Sequence, residues 1–242
     1  MGGAPPDLSL VLACYNEADH LQASFAEIRD TLVEWGRPFE VVFVDDRSAD
    51  GTVEVLRGII ASHPRLDLRL VQHETNRGRG ATVSDGFRAA RGGIAGYLDV
   101  DLEVHCRYVP SLVRAIENGA DVATLWRVYA FQLRYLDRYL MSRGYSYLVR
   151  HLLGVSFHDT ETGYKFFRRE RALFLLDEIE DEGWFWDTEF MVRAARHGLR
   201  VKEIPGAYIR RENKASTVRG LRDSIRYFRR LLAFRRKLRR EA

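Results

Sequence analysis

Cysteine and long apolar runs are both scarce in this sequence. Among its 242 residues only Cys14 and Cys106 are cysteines, and their spacing fits neither a zinc site nor a disulfide framework. The first residues, MGGAPPD, lack the basic-then-apolar pattern of a signal peptide. No run of about 18 apolar residues marks a membrane-spanning helix. We therefore expect a protein of the reducing cytoplasm that does not itself cross a membrane.

Acidic residues are scarce in one part of the chain only. The overall net charge is +4, but residues 219–242 contain ten Lys or Arg against Asp223 and Glu241, a net charge of +8. The rest of the chain is therefore mildly acidic, at −4. This asymmetry predicts an anionic partner for the tail, either a membrane face or nucleic acid. With 46% hydrophobic residues, the chain can bury one substantial core.

Four short apolar runs alternate with stretches of helical periodicity. We predict strands at 8–13, 39–44 and 68–71, and a fourth strand in the stretch 96–103 whose end carries the polar residues. Each run is followed directly by polar or glycine-rich residues. Alternating strands and helices are typical of a parallel α/β sheet, in which ligands bind beyond the carboxyl ends of the strands. The predicted fold class is α/β, a mostly parallel central sheet flanked by helices.

Two carboxylates, Asp99 and Asp101, lie at the end of the fourth predicted strand. On an extended strand, residues two apart lie on the same face, and Glu103 continues that alternation. Hard carboxylate oxygens suit Mg2+ or Mn2+, which could bridge to the phosphates of a nucleotide. The same Asp-x-Asp pattern also fits a solvated strand end or a turn.

Two other polar stretches also follow predicted strands. Asp45 and Asp46 could accept hydrogen bonds from a nucleotide base or ribose. The loop with Gly78 and Gly80 precedes a helix, where backbone N–H groups could approach a nucleotide. Taken singly, the first stretch equally fits a turn with a helix cap, and the second a linker. Together, at the ends of strands of one sheet, they favour a shared nucleotide site.

Four motifs occur in order, CYNEADHL at 14–21, VVFVDDRSADGT at 41–52, NRGRGA at 76–81 and YLDVDLE at 97–103. They resemble the nucleotide-binding half of the family 2 glycosyltransferases, which have the GT-A fold. Within that family the chain is most similar to the polyprenyl (dolichyl) phosphate mannose and glucose synthases. The resemblance implies a nucleotide-diphosphate sugar donor of the GDP-mannose or UDP-glucose type, a divalent metal, and inversion at the anomeric carbon.

The resemblance also gives roles to individual residues. Asp101 matches the direct metal ligand, a catalytic role, and Asp99 matches a residue near the ribose and the metal. Glu103 stands where the family often has Gln, and it is a third expected metal contact. The positions expected to hold the donor are Ala13, Tyr15, Glu17, Asp45, Asp46, Gly78, Gly80, Ala81, Asp99 and Val100.

Other resemblances point to the acceptor side. Arg138 matches the family's R-x-x-x-S segment, where a guanidinium could neutralise phosphate. Asp159 and Asp187 match carboxylates in the D-x-x-x-G-(F/Y)-(K/R) and W-x-F-D-x-E elements. A hydroxyl acceptor would need one of them as a general base, whereas a phosphate monoester is already an anion near pH 7. The family's R-x-x-G-x-S-K pattern lacks its glycine here, and Arg210 and Lys214 are expected to contact the donor diphosphate.

We predict a glycosyltransferase domain at 1–217, with a nucleotide half at 8–103 and an acceptor half at 104–217, followed by a basic amphipathic helix at 218–242. Residues recur at helical spacing in this tail at Leu221, Ile225, Phe228, Leu232 and Arg235. Such a helix could bind an anionic membrane surface or pack on the domain or on a partner chain. Nucleic acid is the least favoured partner, because no nucleic-acid-binding module accompanies the helix.

The sequence thus predicts a metal-dependent inverting glycosyltransferase that moves a hexose to a polyprenyl phosphate. It would meet the lipid peripherally, at the inner face of a membrane or through a membrane-protein partner. Transfer to a soluble hydroxyl acceptor is the alternative within the same enzyme class. A third interpretation is a non-catalytic protein that binds nucleotide sugars.

Overall fold

The structure is a computed structural model that describes residues 4–129, 136–209 and 220–241, with side chains in 4–129, 143–209 and 227–241. Its strands are β1 Leu8–Cys14, β2 Phe39–Asp45, β3 Asp67–Gln72, β4 Ile94–Leu98, β5 Val122–Tyr129, β6 Tyr164–Arg168 and β7 Val201–Tyr208. Its helices are α1 Ala18–Trp35, α2 Thr52–Ser62, α3 Arg79–Ala89, α4 Val109–Glu117, α5 Leu136–Leu153, α6 Arg169–Ala172, α7 Leu175–Glu178, α8 Trp186–Arg196 and α9 Gly220–Arg240, with a 3-10 turn at Cys106–Tyr108.

The described strands form one sheet in the order β3-β2-β1-β4-β6-β5-β7. β1 to β4 run parallel, with Leu8 of β1 beside Phe39 of β2 and Ile94 of β4. β6 is antiparallel to both β4 and β5, and β7 is parallel to β5. The carboxyl ends of β1, β2, β4, β5 and β7 therefore meet the amino end of β6 at one edge. All four predicted strands are present, and the mostly parallel α/β sheet is confirmed.

Helices cover both faces of the sheet, and the strands therefore bury side chains on each side. Leu10 and Val11, neighbours in β1, belong to two separate core clusters, one with α1 and one with α3 and α8. The buried side chains of α1 are Leu21, Ser24, Phe25, Ile28 and Leu32. Their apolar members recur every three or four residues, which produces one buried stripe on an otherwise polar helix.

The C-terminal helix α9 exists as predicted, and its apolar side chains pack on the domain. The buried side chains of this contact are Val149 of α5, Phe185, Val192 of α8, and Leu231, Phe234 and Leu238 of α9. Burying each large apolar side chain contributes about 1.5–3 kcal/mol. The three from α9 therefore hold it firmly to the domain, and whether 218–242 is a unit of its own stays a prediction. In the described part of the chain, no helix is long and apolar enough to cross a membrane.

The phase of the apolar stripe on α9 differs from the prediction. Phe228, which is predicted to lie in the stripe, is 42% exposed, while Leu231 is fully buried. The sequence is ambiguous here because apolar residues stand next to each other at 227–228 and at 231–232. Packing selects the phase that also includes Phe234 and Leu238.

Candidate active site

The neighbouring carboxylates Asp45 and Asp46 have different surroundings at the end of β2. Nδ1 of His73 and the backbone N–H of Gly78 lie 2.8 Å from the two oxygens of Asp46. Asp46 is thus satisfied by the protein, and it anchors the glycine loop. Asp45 Oδ2 accepts the N–H of Ser48 at 3.3 Å, but its buried Oδ1 has no hydrogen-bond partner within the described chain.

A buried polar atom without a partner costs about 1–3 kcal/mol, so Asp45 Oδ1 requires a donor from outside the described residues. A nucleotide base N–H or a ribose hydroxyl is such a donor. The expected donor-binding residues Ala13, Tyr15 and Glu17 lie at the end of β1, whose Cys14 is in register with Asp45. Tyr15 is half-exposed there.

The glycine loop approaches protein backbone, which corrects one expectation. The N–H groups of Gly80 and Ala81, expected to face a nucleotide, donate to the carbonyl of Glu182 at 2.8 and 3.2 Å. A Cβ on Gly78, whose φ is +97°, would lie 2.5 Å from the same carbonyl. Glycine is required here because the loop before α8 comes so close. Contact between this loop and a nucleotide through other atoms stays a prediction.

Asp99 and Asp101 lie in a turn, so the expected strand geometry is wrong. β4 ends at Leu98, the N–H of Leu102 donates to the carbonyl of Asp99 at 3.2 Å, and Leu102 has a φ of +52°. Val100 and Leu102 are buried in the core while both carboxylates stay partly exposed. The turn thus preserves the alternating burial that predicted a strand.

Glu103 is engaged elsewhere, and the described residues do not group it with Asp99 and Asp101 as a third metal ligand. Its carboxylate accepts a hydrogen bond from the hydroxyl of Tyr208 at 2.6 Å. Its carbonyl accepts the N–H of Ile209, which ties this segment to the end of β7. Among the described residues, which include all three expected ligands, no group of three His, Cys, Asp or Glu side chains could hold a metal ion.

Asp187, near the start of α8, lies in a buried charge cluster. Its Oδ2 is 2.5 Å from Nη1 of Arg79, and its Oδ1 is 2.9 Å from Nζ of Lys165. The hydroxyl of Tyr97 also donates to it. Burial lowers the pKa of the fully buried Lys165, and the charge of Asp187 opposes that shift. A carboxylate held by two cations does not suit the general-base role expected for Asp187.

Arg79 joins this cluster to the turn after β4. Its Nη2 lies 2.7 Å from Oδ1 of Asp99. Sequence reasoning did not single out Arg79 or Lys165 as functional. The available signals were a basic residue between two glycines at the start of α3, and a lysine that follows the Gly163-Tyr164 pair.

Asp159 forms a two-point ion pair with Arg127 of β5. Nε and Nη2 of Arg127 lie 2.6 and 3.0 Å from its two oxygens. The hydroxyl of Thr162 and the N–H of Glu161 each donate to it at 2.9 Å. Burial alone would raise the pKa of Asp159, but Arg127 holds this pKa well below its usual range. Asp159 is therefore a weak base with its oxygens occupied, which does not suit the other general-base expectation.

Glu161 is a carboxylate that the sequence did not distinguish from an ordinary polar loop residue. Its Oε2 lies 3.5 Å from Nη2 of Arg127, and its side chain is 28% exposed. Burial raises the pKa of Glu161 to about 7; the charge of Arg127 opposes the shift and that of Asp159 adds to it. A pKa near the working pH is what a general base requires.

Two tryptophans near the start of α8 have different environments. Trp186 is fully buried, and its Nε1 donates to the hydroxyl of Ser84 at 2.8 Å. Trp184 is 52% exposed, and its ring lies 5.0 Å from the guanidinium of Arg79. Trp186 is thus a core residue, whereas Trp184 lies at the rim of the charge cluster.

Three expected site residues lie outside the described parts of the structure. Arg210 and Lys214 fall between the described ranges, and Arg138 lies on α5 ahead of Arg143, where the described side chains begin. Their roles at the diphosphate and at the acceptor phosphate stay predictions.

Asp99 and Asp101 fit a divalent metal that is shared with a diphosphate. Mg2+ is commonly bound by one or two carboxylates, with substrate phosphates and water in the other positions. Both carboxylates belong to one turn, and the Asp99 side chain is 41% exposed. Nη2 of Arg79 lies 2.7 Å from Oδ1 of Asp99, so a metal would share this carboxylate with a guanidinium. Two hard oxygen donors at this edge are consistent with such a site.

Comparison with known proteins adds a family. Residues 9–174 match the family model described as glycosyl transferase family 2. Glycosyltransferase AglD of Haloferax volcanii is 36% identical over 204 residues, which are 82% of this chain and 32% of AglD. A dolichyl-phosphate beta-glucosyltransferase of Saccharomyces cerevisiae is 28% identical over 219 residues, 82% of this chain and 65% of the yeast protein. The chain therefore spans less than two thirds of either relative.

Solved structures show the same architecture. A mannosyltransferase from Pyrobaculum calidifontis, in complex with GDP-Man and Mn2+, is similar with a TM-score of 0.60 at 20% identity, over 86% of this chain and 58% of that one. Glucosyl-3-phosphoglycerate synthase from Mycobacterium tuberculosis, in complex with Mn2+, UDP and glucosyl-3-phosphoglycerate, is also similar. Its TM-score is 0.69 at 21% identity, and the match covers 96% of this chain and 80% of the synthase. These likenesses confirm the GT-A fold.

Proposed function

The chain belongs to glycosyl transferase family 2, and from that premise we propose that it transfers a hexose from a nucleotide-diphosphate sugar to a polyprenyl phosphate. The family confirms the prediction of a glycosyltransferase. The name of the yeast relative, a dolichyl-phosphate beta-glucosyltransferase, supports a lipid phosphate as the acceptor.

The donor would bind at the carboxyl edge of β1, β2 and β4. Asp45 would accept a hydrogen bond from the base or ribose through its unpartnered Oδ1, beside the half-exposed Tyr15. Asp99 and Asp101 would hold Mg2+ or Mn2+, which when bound supplies positive charge for the departing diphosphate. Arg79, already paired with Asp99, would keep that carboxylate oriented toward the same point.

One observation carries the choice of acceptor: both expected general bases are held by cations. Asp159 is paired with Arg127, and Asp187 with Arg79 and Lys165. A phosphate monoester is an anion near pH 7 and attacks with little help from a base. A site in which both expected bases are neutralised suits such an acceptor.

A second candidate function is transfer to a hydroxyl, and Glu161 is the observation that favours it. A hydroxyl nucleophile must lose a proton, and a base with a pKa near the working pH accepts it most effectively. Glu161, with its pKa raised to about 7, is such a base at the same edge of the sheet.

A pair of lipid acceptors separates these candidates. The protein would be incubated with labelled GDP-mannose or UDP-glucose, Mn2+, and either a polyprenyl phosphate or the matching polyprenol. We expect transfer to the phosphate only, and full retention of this transfer in Glu161→Gln. Transfer to the alcohol that is lost in Glu161→Gln would favour the second candidate. Absence of transfer from every donor and to either acceptor would overturn both.

The metal assignment has its own matched pair of variants. Asp101→Ala should lower turnover at least about 100-fold, because charge stabilisation by a metal is worth several kcal/mol. It should also abolish the Mn2+-dependent part of nucleotide binding, measured by calorimetry. Glu103→Gln is the control, since its carboxylate is bonded to Tyr208, and it should keep both properties. An active Asp101→Ala protein would refute the assignment.

A further inference from the structure

The basic helix α9 has an inner and an outer face with different surroundings. Its apolar stripe is covered by side chains of α5, of α8 and by Phe185. An amphipathic helix that binds a membrane through its apolar face must bury that face among lipids. Because the protein already covers the stripe, any membrane contact of α9 would use the outer face.

The outer face of α9 carries arginines that have no partner among the residues whose side chains the structure describes. Arg229, Arg236 and Arg240 are seven and four positions apart, so they lie on one side of a helix with 3.6 residues per turn. All three are exposed. With the residues that the structure describes they form no ion pair or hydrogen bond. We call these three residues the arginine face.

Basic residues on the flank of α9 are paired instead. Arg230 forms an ion pair with Asp181, and Nζ of Lys237 lies 2.6 Å from Oε1 of Glu180. Both acids belong to the loop before α8. The flank therefore fixes α9 to the domain, while the arginine face keeps its charge for another partner.

The same loop places α9 beside the rim of the candidate active site. Asp181, paired with α9, is followed closely in the chain by Trp184, which is half-exposed and lies over Arg79. Arg79 in turn contacts Asp99 in the turn after β4. A surface bound by α9 would therefore lie near the rim at Trp184.

Exposed apolar side chains next to the arginine face favour a lipid bilayer. Phe228 is 42% exposed, and Leu232 is partly exposed on the same side of α9. Phosphodiester backbones of nucleic acid offer charge but no apolar layer, whereas a bilayer offers both at its headgroup boundary. We propose that the arginine face docks the protein on an anionic phospholipid surface, with Phe228 at the boundary of the headgroups.

This proposal deepens the proposed function and rests on it in one respect, namely that a polyprenyl phosphate acceptor is held in a bilayer. Since the apolar stripe is buried, docking is mainly electrostatic and must weaken as salt is added. A basic residue near an anionic membrane strengthens binding roughly fivefold, so three of them contribute about 100-fold.

Vesicle binding by two variants of equal net charge tests the proposal. The full chain would be sedimented with phosphatidylcholine vesicles with and without phosphatidylglycerol, at low and high salt. The variant carries Arg229→Glu, Arg236→Glu and Arg240→Glu. The control reverses three exposed arginines outside the α9 contact, Arg57→Glu, Arg65→Glu and Arg107→Glu. We expect the wild type and the control to bind anionic vesicles, and the α9 variant to bind at least about 100-fold more weakly.

Equal binding by the two variants would overturn the proposal, and so would equal binding to vesicles without phosphatidylglycerol. Loss of duplex DNA binding in the α9 variant, with no vesicle binding by the wild type, would assign the face to nucleic acid and also overturn it. Thermal melting verifies that both variants fold.

A second assay tests the proposed function separately, with a short, water-soluble prenyl phosphate as the acceptor. The α9 variant should retain transfer to this acceptor. If the wild type lacks this transfer, the proposed function is refuted, while the result of the vesicle-binding experiment is unaffected.

Discussion

Asp159→Asn separates a general base from a structural carboxylate. The substitution keeps the shape of the side chain and removes its charge. Arg127 would lose the partner that it holds at 2.6 and 3.0 Å. Its nearest remaining carboxylate is Glu161, 3.5 Å away. Because the Arg127 and Asp159 side chains are only 19% and 8% exposed, water cannot fully replace the lost partner.

The expected cost follows from this burial. Removing one partner of a buried ion pair costs about 3–5 kcal/mol, since the other charge stays buried without compensation. Partial exposure of Arg127 and the proximity of Glu161 place the cost near the lower end, about 3 kcal/mol. For a chain of this size, each kcal/mol lowers the melting temperature by about 2–4 °C, so we expect a decrease of roughly 6–12 °C.

The pH dependence gives a second readout. Asp159 has a pKa below its usual range in the folded state because of Arg127, despite the opposing effect of burial. It therefore contributes stability above its unfolded pKa of about 3.9, and that contribution is lost as the pH falls through the folded pKa. The difference in stability between wild type and Asp159→Asn should therefore shrink as the pH falls below about 4.

Urea denaturation followed by circular dichroism measures the free energy of unfolding. Asp177→Asn is the control, because Asp177 is 79% exposed in its ion pair with Arg88 and should change stability by less than about 0.5 kcal/mol. If Asp159 were the general base instead, the variant would unfold like the wild type and lose about 100-fold or more in turnover. That result would refute the structural role argued for Asp159.

Two further predictions concern Glu161 and Gly163. Since burial raises the pKa of Glu161 to about 7, the free energy of unfolding of the wild type should fall as the pH rises from about 4.3 through 7. Glu161→Gln should remove this trend in urea titrations. An unchanged trend in the variant would contradict the raised pKa. A Cβ on Gly163 would lie 1.7 Å from Oδ2 of Asp99, so Gly163→Ala should displace that carboxylate and weaken Mn2+-dependent nucleotide binding about 10-fold or more in calorimetry. Gly144→Ala, which adds a Cβ in open space, should leave that binding unchanged, and equal effects of both alanines would refute the assigned contact.

The fold could be predicted from the sequence because its main signals are local. Each of β1 and β2 is a short apolar run buried on both faces, and such a run ends where polar residues begin. The same local logic failed after β4. Val100 and Leu102 are buried while Asp99 and Asp101 are not, and a period of two in burial cannot distinguish a strand from this turn.

The different roles of Asp45 and Asp46 depend on contacts that no local pattern encodes. The partners of Asp46 come from His73 and Gly78, some thirty residues along the chain. Sequence reasoning could only treat the two aspartates as a pair. Their different surroundings leave Asp45 Oδ1 as the oxygen that still requires a donor.

A similar long-range dependence explains why the expected general bases look different in the structure. Asp187 meets Arg79 from α3 and Lys165 from β6, so its neutralisation results from the packing of distant segments. Arg79 contacts Asp187 with Nη1 and Asp99 with Nη2, and it thereby joins the predicted nucleotide half to the predicted acceptor half. A guanidinium can make both contacts at once because its donors form a rigid planar fork, whereas a lysine presents a single point charge. The position of Asp99, and with it the proposed metal site, therefore depends on a side chain that also holds the acceptor side together.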